Sequence, residues 1–175
     1  FGAACLSATD GKILWQTTLA DIDNPAPVHW LNSWATPTPV LDSGKLYCDF
    51  GTFATACVNA EDGKIVWQKK VPIEHQVGPG SSVLVCGNLL ILVRDGTNAQ
   101  YVTALDKATG QEVWKTLRPP LTGGGDTRKS CSSPILVTLD GAAQLLSGGA
   151  RWLVSYEPAT GKELVRFGQR HSLGS

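Results

Sequence analysis

One stretch occurs four times and limits what this chain can fold into. Residues 101–116, YVTALDKATGQEVWKT, read as strand, tight turn, strand. Val102, Ala104 and Asp106 alternate with Thr103 and Leu105 at the two-residue period of a pleated strand. Lys107-Ala108-Thr109-Gly110 makes the turn, and Val113 and Trp114 begin the return strand. The copies anchor on Gly11, Gly63, Gly110 and Gly161, spaced 52, 47 and 51 residues apart. A period of roughly fifty residues marks a repeat architecture.

Residue types in register show what each copy is built to do. Four positions before the glycines stand Ser7, Asn59, Asp106 and Glu157, each with a side-chain oxygen able to accept backbone N–H groups in the turn. The glycine suits a left-handed position closing a hairpin loop with a bulge. Four positions after the glycines come Trp15, Trp67, Trp114 and Val165. Three indoles in register are expected to wedge between neighbouring units. In the fourth copy Phe167, two residues on along the same strand face, is the candidate substitute. Six positions before the glycines lie Cys5, Cys57, Ala104 and Ser155, a site that wants a small side chain in a packed strand.

Between these anchors the chain divides into units of four short strands. A half unit covers 1–19, followed by units at 35–71, 80–118 and 131–168 and the start of another at 169–175. The third is the cleanest: a strand at 83–85, a turn at 86–88, an entirely apolar strand at 89–93, a loop at 94–99, then the hairpin described above. A strand apolar at every position is expected to be covered on both faces. Nothing reads as a helix of useful length. The expected fold is therefore all-β, a partial β-propeller of about three and a half four-stranded antiparallel blades. A solenoid of strand units is the alternative. Three and a half blades cannot close a ring, so the chain reads as a fragment of a longer one that needs further blades.

The totals exclude several classes. Fifteen lysines and arginines balance fifteen aspartates and glutamates, which argues against a nucleic-acid footprint. The longest apolar run, Leu89 to Val93, is far too short to span a membrane. The five cysteines show no paired metal-finger spacing, and no metal site is expected.

At these residues the sequence resembles the PQQ-like β-propeller superfamily. The pattern A-x-D-x-x-T-G-x-x-x-W is met in full by Ala104, Asp106, Thr109, Gly110 and Trp114, and in part by the copies around Gly11 and Trp15, Gly63 and Trp67, and Gly161. The lead-in Ser132-Ser133-Pro134 and its relative Ser81-Ser82-Val83 are similar to that superfamily too. The resemblance implies tryptophans that dock blade on blade. It is specific for fold and not for function: the superfamily holds quinoprotein alcohol dehydrogenases, which use pyrroloquinoline quinone and usually calcium, and the assembly lipoprotein BamB, a scaffold without cofactor.

All three histidines, His29, His75 and His171, fall in connections between the last strand of one unit and the first of the next. In a propeller such connections gather at one mouth of the central channel. With Trp34, Gln76, Arg128 and Lys129 they make a candidate mouth for a small polar ligand or a protein. Solvated loop residues are the plain alternative. The near phosphate-loop Gly123–Ser130, GGGDTRKS, has Arg128 where glycine is required and a strand where a helix should follow, so nucleotide binding is not expected. A quinone enzyme needs clustered oxygens around calcium and an aromatic floor; Asp21-Ile22-Asp23-Asn24 reads instead as a solvated turn.

The first expectation is a non-catalytic binding or scaffold propeller of the cell envelope, without cofactor. Its periplasmic or extracellular setting is implied by resemblance alone. The alternatives are a fragment of a quinone-dependent alcohol or sugar dehydrogenase, with pyrroloquinoline quinone and calcium, and a structural module attached to an enzyme domain elsewhere.

Overall fold

A computed structural model describes residues 1–119, 121, 123 and 127–168. His171 and the start of the next unit at 169–175 lie outside the described residues. Among those described there are fourteen strands, all paired antiparallel, and no α-helix. β1 (Gly2–Leu6) and β2 (Ile13–Thr18) form a two-stranded sheet. Three four-stranded sheets follow: β3 (Val40–Asp42), β4 (Lys45–Asp49), β5 (Thr55–Asn59) and β6 (Ile65–Lys69); β7 (Leu84–Cys86), β8 (Leu89–Asp95), β9 (Gln100–Asp106) and β10 (Glu112–Leu117); and β11 (Ile135–Leu139), β12 (Ala142–Gly148), β13 (Trp152–Tyr156) and β14 (Glu163–Gly168). Each sheet runs in chain order, as the blades of a partial propeller do.

The turn anchors explain why the outer hairpins form. At Asp106 the backbone N–H donates to Gln111 O at 2.8 Å, and Gly110 N–H returns to Asp106 O at 2.8 Å. The Asp106 carboxylate accepts from the N–H groups of Ala108 (3.1 Å) and Thr109 (2.8 Å) and from the Thr109 hydroxyl (2.8 Å). Those bonds hold its carboxyl below the ordinary range. The same pair of backbone bonds recurs at Ser7, Asn59 and Glu157. Gly110 sits at φ 73°, where a side chain would be strained, and a β-carbon there would also overlap the ring of Trp67. Each hairpin carries a bulge, placed in this copy between Glu112 and Trp114.

The core lies between the sheets. Leu90 and Leu92 of β8 point one way and pack with Tyr47, Cys57 and Tyr101. Ile91 and Val93 point the other way and pack with Val102, Ala104, Leu145 and Val154. A strand clamped between two neighbours has no solvent face, which is why 89–93 is apolar throughout. Leu19, Cys48, Phe50 and Val58 form the third layer, against Phe1 and Trp15. Each fully buried leucine or valine contributes roughly 1.5–3 kcal/mol of transfer free energy.

One expectation needs correcting. The segment 94–99 reads as a loop because charge follows the apolar run, but β8 continues through Arg94 and Asp95, which are both buried. Backbone pairing of Arg94 with Tyr101 and Asp95 with Gln100 carries the strand on. The charges are tolerated because each meets an opposite charge inside.

Candidate functional site

Two devices join one blade to the next. The outer one is the indole. Trp15 Nε1 donates to Ala60 O at 2.9 Å, Trp67 Nε1 to Lys107 O at 2.9 Å and Trp114 Nε1 to Pro158 O at 3.1 Å. Each acceptor is the residue after the turn's polar anchor in the next sheet. Two positions beyond each tryptophan, Thr17 Oγ1, Lys69 Nζ and Thr116 Oγ1 donate to the carbonyls of Gly63, Gly110 and Gly161. Phe167 occupies the corresponding place on β14 and is 65% exposed, with Val165 also exposed. The inner device is the strand lead-in: Thr38 N–H donates to Ser82 Oγ at 2.9 Å, and Ser82 N–H to Ser133 Oγ at 2.9 Å.

Where β4 and β8 end, the connections at 74–81 and 129–131 border a narrow cleft. Asp49, His75, Gln76, Arg94, Asp95 and Lys129 line it. Its cavity is about 20 Å³, counted as room for the centre of a water-sized sphere, enough for about one water. Arg94 reaches from β8 to the previous sheet. Its Nη2 lies 2.6 Å from Asp49 Oδ1 and its Nη1 3.1 Å from Oδ2. Thr55 Oγ1 donates to Asp49 Oδ1 at 2.7 Å and accepts from Arg94 Nη2 at 3.1 Å. Asp95, the next residue, faces Arg118. Arg118 Nε stands 2.9 Å from Asp95 Oδ1, close enough for an ion pair but not aligned as a hydrogen bond. Arg118 spends its Nη2 on Ser147 Oγ (2.6 Å) and Gly148 O (3.3 Å) of the following sheet. Burial pushes the Asp95 carboxyl up to about 6, against the pull of Arg118.

His75 is largely sealed. Its ring meets the edge of Trp34 at 5.6 Å between centroids, and Nε2 is buried with no hydrogen-bond partner among the described residues. Burial, reinforced by the Arg94 guanidinium, pulls its pKa down to about 4, so the imidazole is neutral at neutral pH.

The candidate mouth is thus assembled in part. His75, Gln76 and Lys129 share the cleft. Trp34 lies beneath, its ring 4.4 Å from that of Phe53 and its Nε1 donating to Ala26 O at 3.1 Å. Arg128 turns aside, Nη1 donating to Thr97 O at 3.5 Å. His29 is exposed, and its backbone N–H donates to Val77 O at 3.2 Å. Sequence reading passed over Asp49, Arg94, Asp95 and Arg118. One signal was available: Asp49 and Asp95 stand 14 and 15 residues before their turn glycines, in nearly the same register.

A family model described as outer membrane protein assembly factor BamB matches residues 2–166. The chain belongs to this BamB family. No curated protein sequence matches it. Among solved structures, BamB from Moraxella catarrhalis is similar over 93% of this chain and 45% of its own, at 16% identity and TM-score 0.64. Quinohemoprotein alcohol dehydrogenase from Comamonas testosteroni is similar over 77% of this chain and 21% of its own, at 20% identity and TM-score 0.59. A europium-containing methanol dehydrogenase covers 97% of this chain and 47% of its own, at 14% identity and TM-score 0.51. At such identities the likeness speaks for the fold, and the chain spans less than half the length of each.

Within this BamB-family chain the cleft residues do not fit a quinone with calcium. Of the three carboxylates lining it, Asp49 and Asp95 are held by guanidinium groups and Glu74 accepts from the Thr97 hydroxyl, the cavity takes about one water, and Trp34 is packed on Phe53. Among the described residues, no group of three or more histidine, cysteine, aspartate or glutamate side chains is placed to hold a metal ion.

Proposed function

We propose that this chain acts as a non-catalytic scaffold propeller of the cell envelope, holding a protein partner on the loops of the face that carries the His75 cleft. The observation that supports it best is how that cleft is filled. Two of the acids a cofactor would use as ligands are already engaged by arginines: Asp49 by Arg94 across the junction between blades, and Asp95 by Arg118 within its own blade. Membership of a family described as an outer membrane protein assembly factor supports an envelope setting and protein partners. No described helix is long and apolar enough to cross a membrane.

Pyrroloquinoline quinone and calcium titrated into the protein carrying this chain, with an alcohol, a sugar and a reducible dye, test the reading. A flat quinone absorbance and no dye reduction are expected. Saturable quinone binding with dye reduction removes the scaffold reading in favour of the dehydrogenase.

A further inference from the structure

We infer that His75 is a latch on the face that carries the cleft: neutral, its ring holds the 74–81 connection down; protonated, it lets that connection lift. The inference goes beyond the scaffold reading and does not depend on it.

The imidazole is inserted rather than laid on the surface. Its ring stands at 83° to that of Trp34, with 5.6 Å between centroids. Nε2 lies 2.6 Å from the point that a β-carbon on Gly51 would take, and Pro79 Cβ lies 3.2 Å from the same point. Glycine at 51 therefore leaves the room the ring uses. Nε2 is buried and meets no hydrogen-bond partner among the described residues. A neutral ring can be held that way, whereas an imidazolium carries two N–H donors that both need acceptors.

The surrounding elements decide which way protonation pushes. Strand β8 presents Arg94 and Asp95 to the cleft, β4 presents Asp49, the 129–131 connection presents Lys129 and Cys131, and the connection of His75 itself carries Glu74. The acids are engaged: Asp49 by Arg94, Asp95 by Arg118, and Glu74 by the Thr97 hydroxyl at 3.1 Å. Burial opposes a charge on the ring first, then Arg94, with Lys129 adding to it and Asp49 offsetting only part. The cavity takes about one water, so the closed cleft cannot hydrate a new cation.

The connection can lift without the sheets coming apart. Residues 70–83 lie in no strand. Around His75 they are tied by separate hydrogen bonds rather than by a ladder. Glu74 N–H donates to Asn98 Oδ1 (3.0 Å), and Thr97 N–H donates to Glu74 O (3.1 Å). His29 N–H (3.2 Å) and Asn32 Nδ2 (2.7 Å) donate to Val77 O. A segment held in this way opens locally at lower cost than the paired core.

The test is amide exchange resolved by NMR at pH 7 and pH 5, read as protection factors at His29, Glu74 and Thr97, in the parent and in His75→Gln. The latched ring titrates at about 4 and a released one near its ordinary 6.5. The open population of the parent should therefore grow about twentyfold from pH 7 to pH 5. The paired amides of β8 and β9, Leu92 with Thr103 among them, should keep their protection. His75→Gln should lose the pH dependence at the three reporters. Asp95 titrates in both proteins, so the difference between them belongs to His75. Equal reporter protection at the two pH values in the parent overturns the inference. So does the same fall in His75→Gln, or a fall shared equally with β8 and β9, which marks global unfolding. If the variant does not fold, the parent's contrast between the reporters and β8–β9 decides alone.

Discussion

Arg94 and Asp95 are neighbours in sequence, point to opposite faces of β8, and end up in two quite different ion pairs. Toward the preceding sheet, Arg94 grips Asp49 with both terminal nitrogens, and Thr55 completes the set. On the other face, Asp95 meets Arg118 of its own sheet by proximity alone, with both carboxylate oxygens buried and without a hydrogen bond among the described residues, and it is Arg118 that reaches the following sheet at Ser147 and Gly148. The first pair has its desolvation offset by oriented donors. The second has not, and its acid responds by holding a proton more tightly. The same strand thus makes one rigid junction directly and backs another, through Arg118, with an acid whose protonation shifts.

Breaking the first pair should have the largest effect. Arg94→Met keeps much of the side-chain bulk and leaves Asp49 buried without its cation, so a loss of about 3–5 kcal/mol is expected in urea unfolding. The double change Asp49→Asn with Arg94→Met should recover more than half of that loss, because no lone charge is left inside. A loss under about 1 kcal/mol for Arg94→Met would mean the pair is not holding the sheets together. Arg118→Met should cost less, about 1–3 kcal/mol, because Asp95 already sits near the point of protonation and can become neutral instead of remaining a stranded anion. If the two arginine variants unfold alike, the contrast between the junctions fails.

The repeat made the fold readable from sequence, and for a physical reason: turn chemistry is local. Asp106 bonds to atoms two and three residues away, and Gly110 needs its backbone angle whatever surrounds it. The tryptophans were legible because their partners recur at the same offset in the next copy. The cleft was not legible, since its bonds join residues with no shared local pattern. Arg94 and Asp49 are 45 positions apart, and a charge after an apolar run reads as the end of a strand until the opposite charge is known. His75 looked like a solvated loop imidazole, yet Gly51, Pro79 and Trp34 close around it. Phe167 aligned with the docking face of the outer strands but lies exposed.

The smallest expected effect is the most discriminating, because two groups in the cleft oppose each other. Asp95 has a folded pKa of about 6, raised above its ordinary 3.8. Between those values the folded chain holds a proton that the unfolded chain has released, so stability from this group rises as pH falls. It is lost again as pH climbs through 6. His75 has a folded value of about 4, lowered from 6.5. In nearly the same window the unfolded chain holds the proton instead, so stability from this group falls as pH falls. Each slope is at most about 1.4 kcal/mol per pH unit, and in the parent chain they nearly cancel between pH 4 and 6. Unfolding free energy measured across that window should be nearly flat for the parent, fall with acid for Asp95→Asn, and rise with acid for His75→Gln. Half-buried carboxylates with lowered values, such as Asp42 and Asp106, act mainly at the acid end of the window and below it, and they act alike in all three proteins, so the comparison between them stands. Parallel curves for all three proteins would show that neither buried group titrates differently on folding, and the protonation-dependent junction would be lost with them.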